Sequence, residues 1–351
     1  MEQEGSDQVG NEGALEYLRS VAGRQQPFFM IISLVNPHDV LFYPGTYHQA
    51  GYEDPSWLEG DIDLPFSVRD DLSTKPSVQK KFLVAFDKGG GPLLLDEKKR
   101  KYLNFYGNLM KASDQYLVDV LDTLRDTGLL DDTVVIRTAD HGEMGMAHGG
   151  LRQKNFNFYE ESLRVPLVFS NRKLYPRALT SDALVSHVDF LPTLASLFDA
   201  PASVRRDWQG VDYSRNVLNP ETARQPQPYV VFTWDDWQAG QSSGPYLGPP
   251  NHIVSIREQR WKLAKYYDIT GQVQSQWEMY DLLKDPPEMR NIAWPQNERT
   301  EEQETQLRRL RRRLAAIQKT RLQPLPTTDT RSVEAQQQQQ QQQQPQAAGA
   351  A

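Results

Sequence analysis

Cysteine is absent from all 351 residues of the sequence, and long apolar runs are absent as well. Without cysteine, the chain can form no disulfide bond, no thiolate zinc site and no cysteine nucleophile of its own. No apolar run reaches about 18 residues, so the sequence predicts no membrane-spanning helix. What remains is a folded chain with an apolar core, which 38% hydrophobic residues are sufficient to build.

Positive charge is also limited, because 46 Asp and Glu residues outnumber 39 Lys and Arg residues. The net charge of −7 argues against nucleic acid as the main partner, since phosphate contacts need clustered Lys and Arg. The first ten residues, MEQEGSDQVG, are acidic and polar, and no signal peptide is visible in them. Taken as it stands, the sequence predicts a cytoplasmic protein; the compartment stays open if Met1 is not the true start.

The first 215 residues alternate predicted helices and strands after a polar, disordered start at residues 1–12. The apolar run PFFMIISLV at residues 27–35 is typical of a strand buried on both faces of a parallel sheet. Residues 36–95 show no period, which predicts a long loop over a binding face. Other predicted elements are helices at 13–22, 96–127 (Asp96 as N-cap, Gly128 just past the end) and 186–197, and strands at 133–138 and 165–170.

This order predicts an α/β fold with a mostly parallel sheet flanked by helices over residues 13–215. Short strand candidates then follow without long helices between them, so residues 225–295 are predicted to form a small antiparallel subdomain. A charged helix is expected at residues 299–318. Residues 322–351 include nine consecutive glutamines and are predicted to be a disordered tail.

The most promising chemical feature follows the strand at residues 133–138, where Asp140 and His141 stand side by side. In open parallel sheets, ligands bind beyond the carboxyl ends of the strands. A carboxylate and an imidazole can together hold a divalent cation, and Gly142 would let the backbone pass close to that metal. An isolated Asp-His-Gly fits a surface turn equally well.

The residues around Asp140, His141 and Gly142 (the metal corner) decide between a metal site and a surface turn. The sequence closely resembles the sulfatase family of the alkaline phosphatase superfamily over roughly residues 25–295. The matching elements, in chain order, are Asp114, residues 133–136, Asp140-His141-Gly142-Glu143, Ala147-His148-Gly149, Gln153-Lys154, residues 159–166, residues 187–193, Tyr280-Asp281-Leu282, Asp285-Pro286, Glu288 and Asn291. The resemblance implies an alkaline-phosphatase-like fold and metal-dependent hydrolysis of sulfuric esters.

The resemblance also implies roles for individual residues. Asp140 and His141 match the pair that ligates the active-site divalent metal, with Ca²⁺ the first expectation and Mg²⁺ or Mn²⁺ the alternatives. Lys154 matches a lysine that contacts the sulfate oxygens, and His38 matches a histidine that contacts sulfate or protonates the leaving group. His148 could line the substrate pocket, but a structural role is the favoured reading. The partner implied is a small sulfate ester or a sulfated glycan.

The family's nucleophile has no counterpart in this chain. It lies in a Cys/Ser-x-Pro-x-Arg motif whose cysteine is oxidised to formylglycine; the chain has no cysteine and no Ser-x-Pro-x-Arg, so formylglycine cannot form here. The family's amino-terminal Asp-Asp metal pair is absent too. We therefore expect a partial site, inactivity of the isolated chain, and apolar surface exposed where the family's first strands would pair. A Cys-x-Pro-x-Arg segment encoded in frame upstream of Met1 would establish a truncated sulfatase.

Two other functions remain open from the sequence. One is a phosphodiesterase or phosphonate monoester hydrolase of the same superfamily, since His141 also suits those branches. The other is a non-catalytic pseudoenzyme or interaction protein that uses the glutamine tail and the basic helix. Neither the substrate nor the oligomeric state has a recognisable code in the sequence.

Overall fold

The computed structural model describes residues 3–201, 203, 208–236 and 244–322. It contains helices and two antiparallel sheets, one of two strands and one of four. The strands are β1 Val135–Thr138, β2 Leu167–Ser170, β3 Val230–Trp234, β4 His252–Arg257, β5 Trp261–Tyr267 and β6 Gln276–Asp281. The helices are α1 Gln3–Val21, α2 Ser77–Gly90, α3 Asp96–Asp126, α4 Ala147–Gly150, α5 Glu160–Leu163, α6 Phe190–Leu197, α7 Ser214–Leu218 and α8 Glu301–Thr320.

The amino-terminal helix α1 is longer than expected. It begins at Gln3, within the segment 1–12 that the sequence predicted to be disordered. Two glycines in this stretch, Gly5 and Gly10, lower its helix propensity, which suggested disorder. The apolar face that the sequence predicted is present, because Leu18 and Val21 are buried and Leu18 packs with Val120 and Leu124 of α3.

The long helix α3 matches its prediction closely, since it runs from Asp96 to Asp126 and Gly128 follows with a positive φ of 73°. A left-handed residue just past a helix end is the position that glycine favours. The N-cap is Leu95 rather than Asp96, which lies in the first turn. There its carboxylate still interacts favourably with the helix dipole.

Residues 27–35 are extended but form no strand, which corrects the prediction of a strand buried on both faces. A strand exists only through a hydrogen-bonded neighbour, and the apolar composition could not reveal whether one is present. Phe28, Met30 and Ile32 pack toward α1 and α3. The alternate side chains face solvent: Phe29 is 61% exposed and Ile31 79% exposed.

The predicted loop at 36–95 contains a helix that the sequence analysis missed. Helix α2 spans Ser77–Gly90, and short 3-10 helices precede it at His38–Phe42, Tyr47–Ala50, Pro55–Leu58 and Phe66–Arg69. Val78 and Phe82 are buried on one face of α2. Their spacing of four residues is the helical signal that could have identified it.

The two sheets separate cleanly by position in the chain. Strands β1 and β2 pair antiparallel, Val135 opposite Ser170, whereas the sequence predicted a mostly parallel sheet. Strands β3, β4, β5 and β6 form a four-stranded antiparallel meander in chain order. The small antiparallel sheet and the mixed α/β class are therefore confirmed. Strands β4 and β5 are buried on both faces, so the meander lies inside its unit rather than at its surface.

The division of the chain differs from the predicted domains. Residues up to Leu307 form one unit, and a second begins at Arg308, whereas the sequence predicted separate regions at residues 13–215 and 225–295. The predicted charged helix at 299–318 is α8, whose bounds are Glu301–Thr320. The glutamine tail from residue 323 onward lies outside the described residues. Among the described residues, every helix is too short or too polar to cross a lipid bilayer.

A buried carboxylate joins the meander to the preceding half of the chain. Glu278 in β6 accepts hydrogen bonds from the hydroxyls of Tyr159 (3.0 Å), Tyr266 (2.7 Å) and Tyr280 (2.8 Å). The side-chain amide of Gln79 in α2 donates to the same carboxylate at 3.0 and 3.1 Å. Burial and the Glu278 charge raise the pKa of all three tyrosines well above its ordinary value, which keeps them protonated as donors.

We predict that Glu278→Ala destabilises the protein by about 3–5 kcal/mol, because it leaves the buried hydroxyls of Tyr266 and Tyr280 without their acceptor. Urea denaturation followed by circular dichroism measures the change. Glu59→Ala, which removes an exposed carboxylate, serves as the matched control and should shift the free energy of unfolding by less than about 0.5 kcal/mol. Equal effects of the two substitutions would contradict the assigned role of Glu278.

Candidate active site

Asp140 and His141 lie together where the chain leaves β1, as the sequence predicted. His141 Nε2 is 3.2 Å from Asp140 Oδ2, and Asp140 is exposed. His141 Nδ1 lies 2.8 Å from the Gly142 carbonyl oxygen, which can only accept, so Nδ1 carries the proton. In the neutral ring, the lone pair of Nε2 therefore faces the carboxylate. Two hydrogen-bond acceptors in contact repel each other, and a cation bound between them would remove this repulsion.

The pair fits part of a divalent metal site. Asp supplies a hard oxygen and His a nitrogen, and the Nδ1 hydrogen bond to a carbonyl fixes the tautomer that leaves Nε2 free to ligate. The described residues contain no group of three or more His, Asp or Glu side chains placed to hold a metal. Ca²⁺ takes six to eight oxygen ligands, so the pair alone does not complete a coordination sphere.

Glu143 ties this corner to Lys154. Its Oε1 accepts hydrogen bonds from the Tyr102 hydroxyl (2.5 Å), the Gln153 amide (2.9 Å) and the Gly145 amide (3.2 Å). Burial raises the pKa of Glu143, although these donors and the nearby Lys154 charge oppose the shift. Lys154 follows Gln153 directly and is half-buried. One carboxylate therefore fixes both ends of the loop between the metal corner and the candidate sulfate-binding lysine.

His38 is oriented by a set of residues that the sequence analysis did not identify. Its Nδ1 lies 3.2 Å from Oδ1 of Asp39, a fully buried carboxylate. The Tyr52 hydroxyl donates to Asp39 Oδ2 at 2.6 Å, and Asn36 Nδ2 donates to the Tyr52 oxygen at 3.0 Å. A ring held by Nδ1 and 43% exposed presents Nε2 outward, as a proton donor or sulfate contact requires. The signal in the sequence was Asp39 itself, directly beside the candidate histidine.

Helix α3 contacts both the segment that carries His38 and the segment that carries Asp140. The Ser113 hydroxyl donates to the Asn36 carbonyl at 2.8 Å, two residues before His38. The next residue, Asp114, forms an ion pair of 3.1 Å with Arg137 in β1, three residues before Asp140. Neighbouring positions on one helix thus hold the segments that carry His38 and Asp140. Within the described residues, no hydrogen bond or ion pair joins His38 or Lys154 to the Asp140–His141 pair itself.

Gly142 is required for a reason other than the expected approach to a metal. A Cβ placed on it would lie 1.9 Å from the carbonyl oxygen of Glu161, and its amide donates to the Ser162 carbonyl at 2.8 Å. The glycine therefore lets two backbone segments meet behind the metal corner. That contact holds the loop after β1 against α5.

His148 lies in the interior rather than on a surface. Its side chain is fully buried, its ring stacks on Tyr159 with centroids 3.7 Å apart, and its nitrogens lie 3.5 Å from Asp70 and 3.7 Å from Glu161. Burial lowers the pKa of His148, but the two carboxylates outweigh it and the net shift is upward. This position favours the structural reading over the substrate contact that the resemblance suggested.

A sulfatase family model matches residues 2–200, more than half of the chain. The chain belongs to the sulfatase family. A second model, for the carboxy-terminal part of N-sulphoglucosamine sulphohydrolase, matches residues 148–320. The family thus covers the segments that carry His38, Asp140, His141 and Lys154.

Individual relatives agree with this assignment. The sulfatase chain is 28% identical over 287 residues to a Delta 4,5-hexuronate-2-O-sulfatase of Bacteroides thetaiotaomicron, an alignment that covers 80% of this chain and 55% of the relative. It thus spans about half the length of that curated relative.

Solved structures share the fold. A 2-O GAG sulfatase superposes with a TM-score of 0.68 at 24% identity, covering 91% of this sulfatase chain and 64% of the other. The phosphonate monoester hydrolase of Agrobacterium radiobacter superposes with a TM-score of 0.62 at 21% identity, covering 86% and 59%. At these identities the likeness establishes the alkaline-phosphatase-like fold alone.

The buried ion pairs of His148 predict a pH dependence of stability. Because its pKa is raised in the folded state, its contribution is fully present below the unfolded pKa of about 6.5 and is lost as the pH rises through the raised value. Groups facing the ring are Asp70, Glu161, Lys75 and Tyr159. We expect the thermal midpoint to fall between pH 6 and pH 8.5, measured by calorimetry at constant ionic strength.

The variant His148→Gln should flatten this dependence, whereas His48→Gln, which changes an exposed histidine, should preserve it. A wild-type slope that survives in His148→Gln would show that other groups cause it.

Proposed function

We propose that this chain supplies the carboxy-terminal part of a sulfatase active site that acts on sulfate esters of sugars. The observation that carries the proposal is the Asp140–His141 corner, in which Nε2 faces Oδ2 at 3.2 Å on a loop that Glu143 ties to Lys154. Family membership makes sulfuric ester hydrolysis the first reaction to consider. The relatives' printed names, a hexuronate-2-O-sulfatase and a 2-O GAG sulfatase, support a sulfated glycan as the substrate class.

In this proposal, Asp140 and His141 contribute two ligands to a divalent cation, with Ca²⁺ favoured over Mg²⁺ and Mn²⁺. When bound, the cation supplies positive charge that stabilises the sulfate oxygens. Lys154 binds those oxygens through its ammonium, which makes no ion pair within the described residues. His38, held by Asp39, binds sulfate or delivers a proton to the leaving oxygen. Asp39 positions the imidazole without contacting substrate.

The nucleophile is the part that these 351 residues do not provide. They contain no cysteine and no Ser-x-Pro-x-Arg motif. We propose that the isolated chain binds sulfate but does not hydrolyse its esters, because charge stabilisation and positioning need a nucleophile to act upon. The fold shared with a phosphonate monoester hydrolase keeps phosphonate esters as the second candidate substrate.

Two measurements on the purified chain test this proposal. In the first, a chromogenic aryl sulfate, a 2-O-sulfated uronate disaccharide and a phenyl phosphonate ester are incubated with Ca²⁺ or Mn²⁺, and we expect no release of product. Clear metal-dependent release from a sulfate ester would contradict the proposed inactivity. Release of product from the phosphonate ester alone would favour phosphonate ester hydrolysis over sulfate ester hydrolysis as the reaction.

In the second measurement, inorganic sulfate is titrated while the thermal midpoint is followed, since a ligand of the folded state raises it. We expect Lys154→Gln to weaken sulfate binding about tenfold, the effect of losing one charge-assisted hydrogen bond. The control Lys98→Gln removes an exposed lysine from α3 and should leave binding unchanged. Equal binding by wild type and Lys154→Gln would remove Lys154 from the site.

A further inference from the structure

His187 connects the turn before helix α6 to the metal corner. Its Nε2 lies 2.9 Å from the carbonyl oxygen of Ala139, the residue directly before Asp140. A carbonyl oxygen can only accept, so Nε2 carries the proton and donates. The contact spans 48 residues of sequence. It therefore joins a histidine outside the candidate site to the segment that carries both proposed metal ligands.

The carbonyl of Ala139 lies one residue beyond the end of the β1–β2 ladder. The last register pair of these two strands joins Thr138 to Leu167. Beyond this pair the ladder no longer orients the backbone, and a carbonyl there needs another donor. The Thr138 hydroxyl reaches the same oxygen only at 3.5 Å, so His187 supplies the shorter of the two hydrogen bonds. His187 thus takes the part that a neighbouring strand plays along β1.

The 3-10 turn that carries His187 is fixed from the interior by a buried carboxylate. Asp189, two residues later, accepts hydrogen bonds from the backbone amides of Ser186 and Val211, both at 2.8 Å. The side-chain amide of Gln227 donates to the same carboxylate at 2.6 Å. A turn that is already ordered loses little further conformational entropy when its histidine forms a hydrogen bond. His187 can therefore hold a second backbone segment in place.

The metal corner is held on both sides of the Asp140–His141 pair. After the pair, the Gly142 amide donates to the Ser162 carbonyl at 2.8 Å. Before the pair, His187 binds the Ala139 carbonyl at 2.9 Å. Side chains on a backbone that is already ordered bind a ligand more tightly, because less conformational freedom is lost on binding. The two anchors together therefore favour a fixed geometry of the pair.

We propose that His187 is a positioning residue for the metal corner, which holds Asp140 and His141 in place through the Ala139 carbonyl. The inference rests on the proposed function, in which this corner binds a divalent cation. His187 does not ligate the cation in this assignment, because its protonated Nε2 binds the carbonyl. A glutamine amide can donate to the same carbonyl, whereas a leucine side chain cannot. The role of His187 therefore depends on a hydrogen-bond donor rather than on an imidazole.

The test titrates Mn²⁺ into the full 351-residue chain and follows the free ion by electron paramagnetic resonance. His187→Leu should weaken Mn²⁺ binding about tenfold, a typical loss when an outer hydrogen-bond partner of a metal site is removed. His187→Gln keeps a donor and should bind Mn²⁺ within about twofold of the wild type. The matched control His48→Leu removes an exposed histidine elsewhere and should leave the affinity unchanged.

The thermal midpoint of the metal-free chain separates positioning from a general loss of stability. Because His187 is exposed, we expect the midpoint of His187→Leu to lie within about 2 °C of the wild type. Equal Mn²⁺ affinity of the wild type and His187→Leu would overturn the inference. Equal losses of affinity in His187→Leu and His187→Gln would overturn it as well, since only one of them removes the donor.

A further variant distinguishes this inference from the proposed function. Asp140→Ala should abolish the measured binding, which assigns the Mn²⁺ to the metal corner. Unchanged binding in Asp140→Ala, or no binding by the wild type, would refute the metal corner itself and the role of His187 with it. Binding that requires Asp140 but tolerates His187→Leu would refute only the role of His187.

Discussion

The carboxylate of Glu143 is the contact on which the candidate site depends. It is half-buried behind the metal corner and accepts hydrogen bonds from one hydroxyl of α3 and from two backbone amides of the loop that follows His141. Without it, the loop between His141 and Lys154 would lose its common anchor. A buried carboxylate is costly unless its oxygens are hydrogen-bonded, and here three donors converge on one oxygen.

The same use of buried charge holds the rest of the unit together. Glu278 collects three tyrosine hydroxyls in the core. Lys262, fully buried, donates to Glu160 at 2.9 Å and lies 2.8 Å from Glu288, which joins α5, the meander and the segment after it. These polar clusters lie where segments distant in sequence meet. They fix the relative positions of those segments more specifically than apolar packing alone could.

The sequence predicted the elements whose signals are local. Helix α3, the four-stranded meander and the pairing of Asp140 with His141 follow from periodicity, β-branched runs and motif spacing. Residues 27–35 could not be predicted in the same way, because a strand requires a partner elsewhere in space. Tyr52 and Tyr102 were missed for the same reason: their roles arise from contacts across 13 and 41 residues, which no local pattern records.

The resemblance is confirmed for family and fold, whereas the roles that it implies for single residues stay predictions. His148 sits within a family motif, yet burial places it among Asp70, Glu161 and Tyr159. Lys154 and His38 keep the exposure that a ligand contact needs. Burial therefore favours a structural role for His148 and leaves His38 and Lys154 as the candidates for contact with a substrate.

The most direct test of the partial-site account is a crystal structure of the chain soaked with Mn²⁺ and sulfate. The account predicts one anomalous peak between Asp140 Oδ2 and His141 Nε2, and one sulfate within about 3 Å of both Lys154 Nζ and His38 Nε2. Mn²⁺ bound elsewhere, or a sulfate that contacts neither Lys154 nor His38, would contradict it.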